Sequence, residues 1–113
     1  MLYLCNGFSV HMFSKACTIG DIVSARFEAI DKAEAAEILQ GENFRSFFGH
    51  SDTAPVLERL LHVTINPNRG TIQLRPGDRL IIASLDSTRR WEAGLDTGRW
   101  FYFYYVTFSW RGA

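Results

Sequence analysis

Asn43-Phe44-Arg45-Ser46-Phe47-Phe48-Gly49-His50-Ser51-Asp52-Thr53-Ala54 is the stretch that decides the fold. Its first half, Asn43 to Phe48, mixes aromatic with polar side chains and reads as a strand. Beyond it, Val56, Leu57, Leu60 and Leu61 recur at helical spacing, which predicts a helix from Thr53 to His62. The residues between form a strand-to-helix turn, with Ser51, Asp52 or Thr53 available to cap the helix. A helix start offers unpartnered backbone N–H groups and a positive dipole end, which suit an anion such as phosphate. His50 stands in this turn, and histidine is the side chain type that most readily gives or takes a proton near neutral pH.

Working outward, Leu2 to Cys5 reads as a first strand, followed by the loop Asn6-Gly7-Phe8-Ser9-Val10-His11-Met12. Ser24 to Ile30 sets Ala25, Phe27 and Ala29 against Arg26 and Glu28 and reads as a second strand. Asp31 then caps an alanine-rich helix from Lys32 to Leu39 that stops at Gly41. Downstream, Gly70 to Arg75 and Arg79 to Leu85 read as a hairpin turning on Pro76-Gly77-Asp78. Ser87 to Ala93 reads as a helical turn, and Trp100 to Phe108 as a closing aromatic strand, central or at an interface. The expected fold is α/β: a mixed sheet of about five or six strands with helices packed on it.

At 113 residues the chain is expected to form one domain, and its 47% hydrophobic content is enough for a packed core. Twelve basic residues balance twelve acidic ones, so no global positive field is present to hold long nucleic acid. Cys5 and Cys17 are too few for a disulfide framework and lack partners at zinc-ligand spacing; both read as small buried hydrophobes. No run approaches membrane-spanning length, and Met1 to Cys5 is too short and lacks the basic flank of a signal peptide. A soluble, cytoplasmic protein is expected, with no membrane partner. Walker, Rossmann, zinc and nucleophile-elbow motifs are absent, as is a carboxylate cluster suited to magnesium. Any phosphoester chemistry is therefore expected to need neither metal nor cofactor.

Each candidate residue has a structural alternative. His50 is either a proton-transfer group or a turn residue bonded to backbone. His62 ends a helix, where the dipole favours a cation, and reads as structural. His11 lies beside Ser9 in the first loop and fits either role. Asn6 and Ser9 are able to hydrogen-bond a ligand approaching that loop, or to serve an ordinary polar turn with Phe8 in the core. Arg69 has the planar fork that grips phosphate, or is a solvated surface arginine. Arg89 and Glu92 are three residues apart, as in a surface ion pair or in a site where arginine neutralises phosphate. Trp91 is either a base-stacking platform or a buried anchor.

Taken in order, these segments resemble the small ring nucleases first known from archaeal viruses, which also act as type III anti-CRISPR proteins. The family's Asn-Ala-Phe-Ser-x-Asn-Met segment stands here as Asn6-Gly7-Phe8-Ser9-Val10-His11-Met12. Its Gly-His-x-Ser-Thr turn stands as Gly49-His50-Ser51-Asp52-Thr53, and its Lys-Asn-Arg strand start as Pro67-Asn68-Arg69. The Gly-Asp turn before an apolar strand matches Gly77-Asp78, and Arg-Leu-x-Glu-Gly resembles Arg89-Arg90-Trp91-Glu92-Ala93-Gly94 with one residue of slippage. This chain departs from the pattern in carrying His11 where the family has asparagine, and Ser51-Asp52 where it has x-Ser. The segment between Gly94 and Trp100 is also shorter than the helix-bearing one of other members.

The resemblance implies a homodimer that binds cyclic tetra-adenylate, the second messenger of type III CRISPR complexes, in a pocket across the dimer interface. It implies metal-independent cleavage in which a ribose 2′-hydroxyl attacks the adjacent phosphate and leaves a 2′,3′-cyclic phosphate. His50 would be general acid on the leaving 5′-oxygen, assisted by Arg89 and Glu92. Asn6, Ser9, His11, Ser51, Thr53, Arg69, Ser84 and Arg90 would bind substrate, with Arg90 an alternative to Arg89. The physics suits this scheme, because the nucleophile belongs to the substrate. Orientation supplies roughly 7–11 kcal/mol in favourable cases, and a positioned acid about 10²–10⁴-fold. The alternatives are a sponge or sensor that binds the cyclic nucleotide without efficient cleavage, and an interaction protein that uses the Phe101-Tyr102-Phe103-Tyr104-Tyr105-Val106 strand.

Overall fold

The computed structural model describes residues 1–48, 53–85 and 101–111. Among them, five strands form one mixed sheet: β1 (Leu2–Cys5), β2 (Ile22–Ile30), β3 (Phe44–Phe47), β4 (Arg79–Leu85) and β5 (Phe101–Arg111). The spatial order is β2-β5-β4-β1-β3. β1 pairs in parallel with both β3 and β4, while β5 runs antiparallel to β4 and β2. Parallel neighbours need crossover connections, and α1 (Lys32–Gly41) and α2 (Thr53–Leu61) lie in those crossovers. This is the mixed α/β sheet with packed helices that the sequence predicts.

Local chemistry explains most element ends. Asp31 sits in extended conformation at the start of α1, and its Oδ1 accepts the Glu34 N–H at 2.8 Å; such caps contribute about 1 kcal/mol. Pro55 falls in the first turn of α2, where its missing N–H costs no helical bond. α2 ends at Leu61 and His62 turns left-handed with φ 55°, so His62 is a helix-stop residue, in line with its structural reading. At Arg75-Pro76-Gly77-Asp78 the Asp78 N–H donates to the Arg75 carbonyl (3.0 Å) and Gly77 has φ 92°, the type II arrangement that favours glycine.

The two faces of the sheet are covered differently. Leu2, Leu4, Ile81, Ala83 and Phe103 face the helices and pack with Ala35, Leu39, Leu57 and Leu61. Cys5, Leu80, Ile82 and Val106 face the other way, beneath Met12, Ile72 and Leu74. An aromatic cluster extends that second core, with Phe8 and Phe13 meeting edge-on and Phe13 also set edge-on against Phe108 and Trp110. Phe8 is thus a core anchor of the first loop.

Several sequence expectations are corrected. Residues 70–75 do not form a strand, so they make no hairpin with β4. Both edges of β4 are already taken, by β1 and β5, so the segment has no ladder to join. It lies across the second face with Ile72 and Leu74 buried, and the Leu74 N–H donates to the Met12 carbonyl at 2.7 Å. The first loop contains a single 3₁₀ turn at Val10–Phe13. β2 begins at Ile22, before the expected Ser24, and β5 runs on to Arg111. From Phe103 to Val106 β5 is paired on both sides, which makes that stretch central, while from Thr107 to Arg111 it pairs with β2 alone; among the described residues the outer strands of the sheet are β2 and β3. Cys5 is buried as expected, but Cys17 is only half-buried. The helical turn expected at 87–93 lies outside the described residues.

Candidate functional site at the carboxyl ends of the parallel strands

β1, β3 and β4 are parallel, so their carboxyl ends share one end of the sheet. In open α/β sheets ligands bind in the crevice beyond such ends, where loops diverge from a rigid floor. Here the crevice is a cavity of about 360 Å³ lined by Cys5, Asn6, Gly7, Ser9, His11, Met12, Phe47, Gly70, Thr71 and Ile72. That volume lies in the range of small-molecule sites.

Backbone bonds shape both walls. On one side, Ser9 Oγ accepts the His11 N–H (3.3 Å), the Ser9 carbonyl accepts the Met12 N–H (3.0 Å), and the His11 carbonyl accepts the Ser14 N–H (3.1 Å). Met12 is buried, which pins the turn to the core while Ser9 and His11 stay exposed. On the other side, Asn68 Oδ1 accepts the Gly70 N–H at 2.8 Å, and the Asn68 N–H reaches the Phe48 carbonyl at 3.1 Å. The loop before Gly70 is therefore tied to the end of β3. A Cβ on Gly70 would meet Asn68 Oδ1 at 3.0 Å and Phe47 Cε1 at 3.4 Å, so glycine lets this wall pass close to β3.

Cys5 lies at the floor, and burial pushes its thiol up to about 11, while Sγ donates to the Gly7 carbonyl (3.3 Å). It is a neutral packing group, not a thiolate nucleophile.

The structure gathers three of the sequence candidates, Asn6, Ser9 and His11, around this one cavity. Arg69 is exposed, one residue before the Gly70 that lines it. Thr53 is the first residue of α2, and Ser84 lies two positions past the Cys5–Ile82 pair on β4; neither lines the cavity. His50, Ser51, Arg89, Arg90 and Glu92 lie outside the described residues. Thr71, exposed and in the lining, was not a sequence candidate, because the stretch around it read as a strand.

A family model described as STIV B116-like matches residues 2–96. The chain belongs to the STIV B116-like family. No curated protein matches it. Among solved structures, B116 of Sulfolobus turreted icosahedral virus (STIV) is similar in fold, with a TM-score of 0.70 at 20% identity over 93% of this chain and 97% of that one. The STIV B116-like match spans β1 through β4, including both walls of the cavity, and ends before β5. The structural similarity carries the likeness over nearly the whole chain.

Proposed function

We propose that this STIV B116-like protein is a metal-independent ring nuclease that opens cyclic oligoadenylate, foremost cyclic tetra-adenylate, to linear products with 2′,3′-cyclic phosphate ends, and so switches off type III CRISPR signalling. The observation that carries this reading is the cavity itself. It brings Asn6, Ser9 and His11 of the first motif together with Phe47 and Gly70. His50 is three residues beyond Phe47. In this scheme Asn6, Ser9 and Arg69 hold the ring, Arg89 (or Arg90) and Glu92 assist at the phosphate, and His50 protonates the leaving 5′-oxygen.

A ring of four nucleotides outsizes the cavity of one copy, so a second copy must supply the rest. β2 is the surface that fits this partner. Its nine residues pair with β5 on one side, and Phe27 stands 49% exposed between Arg26 and Glu28. An antiparallel β2–β2 pairing with its two-fold axis at Phe27 sets Arg26 of each copy opposite Glu28 of the other, a self-complementary register. β1 lies three strand spacings, about 14 Å, from that edge. Coiling of the joined sheet then turns the two carboxyl ends toward one ligand.

The test is incubation of the protein with cyclic tetra-adenylate in excess chelator, with mass spectrometry of the products. Linear adenylates should form, and His50→Ala should remove most of the activity while leaving binding. Tight binding with intact ligand recovered would make the protein a sponge; neither binding nor product at high protein concentration would end the proposal.

A further inference from the structure

We infer that His11 is the general base of the cleavage, the group that takes the proton from the attacking 2′-hydroxyl. This rests on the ring-nuclease reading and adds to it a residue and a role. Opening the ring by 2′-attack forms an O2′–P bond and breaks the P–O5′ bond. One proton must leave O2′ and another must arrive on O5′. Those oxygens lie on opposite sides of phosphorus in an in-line displacement, so a single imidazole serving O5′ does not also serve O2′. A second group is needed on the far side of the phosphate.

Among the described residues of the cavity wall, two carry a titratable side chain, Cys5 and His11. Cys5 is 2% exposed and its Sγ is turned to the Gly7 carbonyl, so it is shielded from a ligand. His11 is exposed, and its backbone is fixed from both sides. Its N–H donates to Ser9 Oγ and its carbonyl accepts from Ser14, while the next residue, Met12, is buried and bonded through its carbonyl to Leu74. An imidazole on an anchored backbone at the mouth of a ligand cavity is placed to accept a proton without reorganising the chain. In each turnover His11 gains the proton of O2′ and the general acid gives one to O5′. Exchange with water after product release restores both.

The test compares the parent protein, His11→Asn and His50→Ala on cyclic tetra-adenylate and on an analogue with sulfur in place of the scissile 5′-oxygen. A thiolate leaves without needing a proton, so the analogue bypasses the acid but not the base. We expect His11→Asn to slow cleavage of both substrates by about 10²–10⁴-fold, with the Kd from calorimetry held within about threefold. His50→Ala should be rescued by sulfur. Cleavage by His11→Asn within about threefold of the parent, its rescue by sulfur, or a loss confined to binding would each overturn the base role while leaving the ring-nuclease reading standing. Binding without cleavage by the parent on either substrate would overturn both.

Discussion

Asn68 donates its backbone N–H to the Phe48 carbonyl at 3.1 Å, and this bond ties the cavity wall at Gly70 to the end of β3. Phe48 is buried and is the residue before Gly49 in the sequence, whereas Asn68 organises the wall through its side-chain bond to Gly70. What disturbs the Asn68 turn therefore disturbs the end of β3 at Phe48, two residues before His50 in the sequence.

Gly70→Ala tests that coupling. The added methyl meets Asn68 Oδ1 at 3.0 Å and loosens the side-chain bond at 2.8 Å. A loss of about 1 kcal/mol in denaturant-measured stability is expected, together with weaker nucleotide binding. In an Asn68→Ala background the same change should cost little more, because the clashing oxygen is gone. Equal costs in both backgrounds would separate the methyl from the turn.

Ser9→Ala removes the oxygen that accepts the His11 N–H at 3.3 Å. We expect about 0.5–1 kcal/mol of lost stability, the usual size of a cap. Ligand affinity should fall as well, since His11 and Asn6 share the cavity wall with Ser9. A stable protein with unchanged affinity would leave the 3₁₀ turn without a part in binding.

Cys5 predicts an alkaline instability. Burial raises its thiol from the ordinary 9.0 to about 11, so the folded state keeps a proton that the unfolded chain has released. The stabilisation is fully present below pH 9 and is lost as pH climbs toward 11, on the order of 2–3 kcal/mol. Tyr3, also raised chiefly by burial and next by Asp78, contributes in the same direction. Urea unfolding across this window should show the fall, and Cys5→Ala should flatten it. Thiol reagents at neutral pH should modify the half-buried Cys17 well before Cys5.

The β2 pairing predicts a charge-swap pattern. Arg26→Glu alone places like charges across the proposed two-fold axis and should raise the dimer dissociation constant about tenfold or more at low salt. Adding Glu28→Arg restores opposite signs and should recover the dimer. Analytical ultracentrifugation reads both. Indifference to the single change would move the interface away from β2.

The legible parts of the chain were those in which local pattern and tertiary demand agree. Leu2–Cys5 is a strand over the expected bounds, and Asp31 caps the helix it was assigned to cap. The turn at Pro76-Gly77-Asp78 formed as read, yet the strand assigned before it did not. Ile72 and Leu74 carry the alternation of a strand, but the same alternation serves an irregular segment laid across a sheet face with every second side chain inward. Periodicity reports which side chains point to the core, not whether a hydrogen-bonding edge is free to receive them. At the site, motif order marked Asn6, Ser9 and His11, and the fold brought them to one cavity, whereas Thr71 entered the lining through a loop the pattern had assigned to a strand.

By itself, the sequence determined the alternation of strands and helices, the caps and turns, and the polar residues clustered after the first strand, because these depend on side chains a few positions apart. The strand order β2-β5-β4-β1-β3 was decided only in three dimensions. So was the meeting of the loop after Cys5 with the loop before Ile72, because residues far apart in the chain come together only when burying the two sheet faces outweighs the entropy of closing the loops between them.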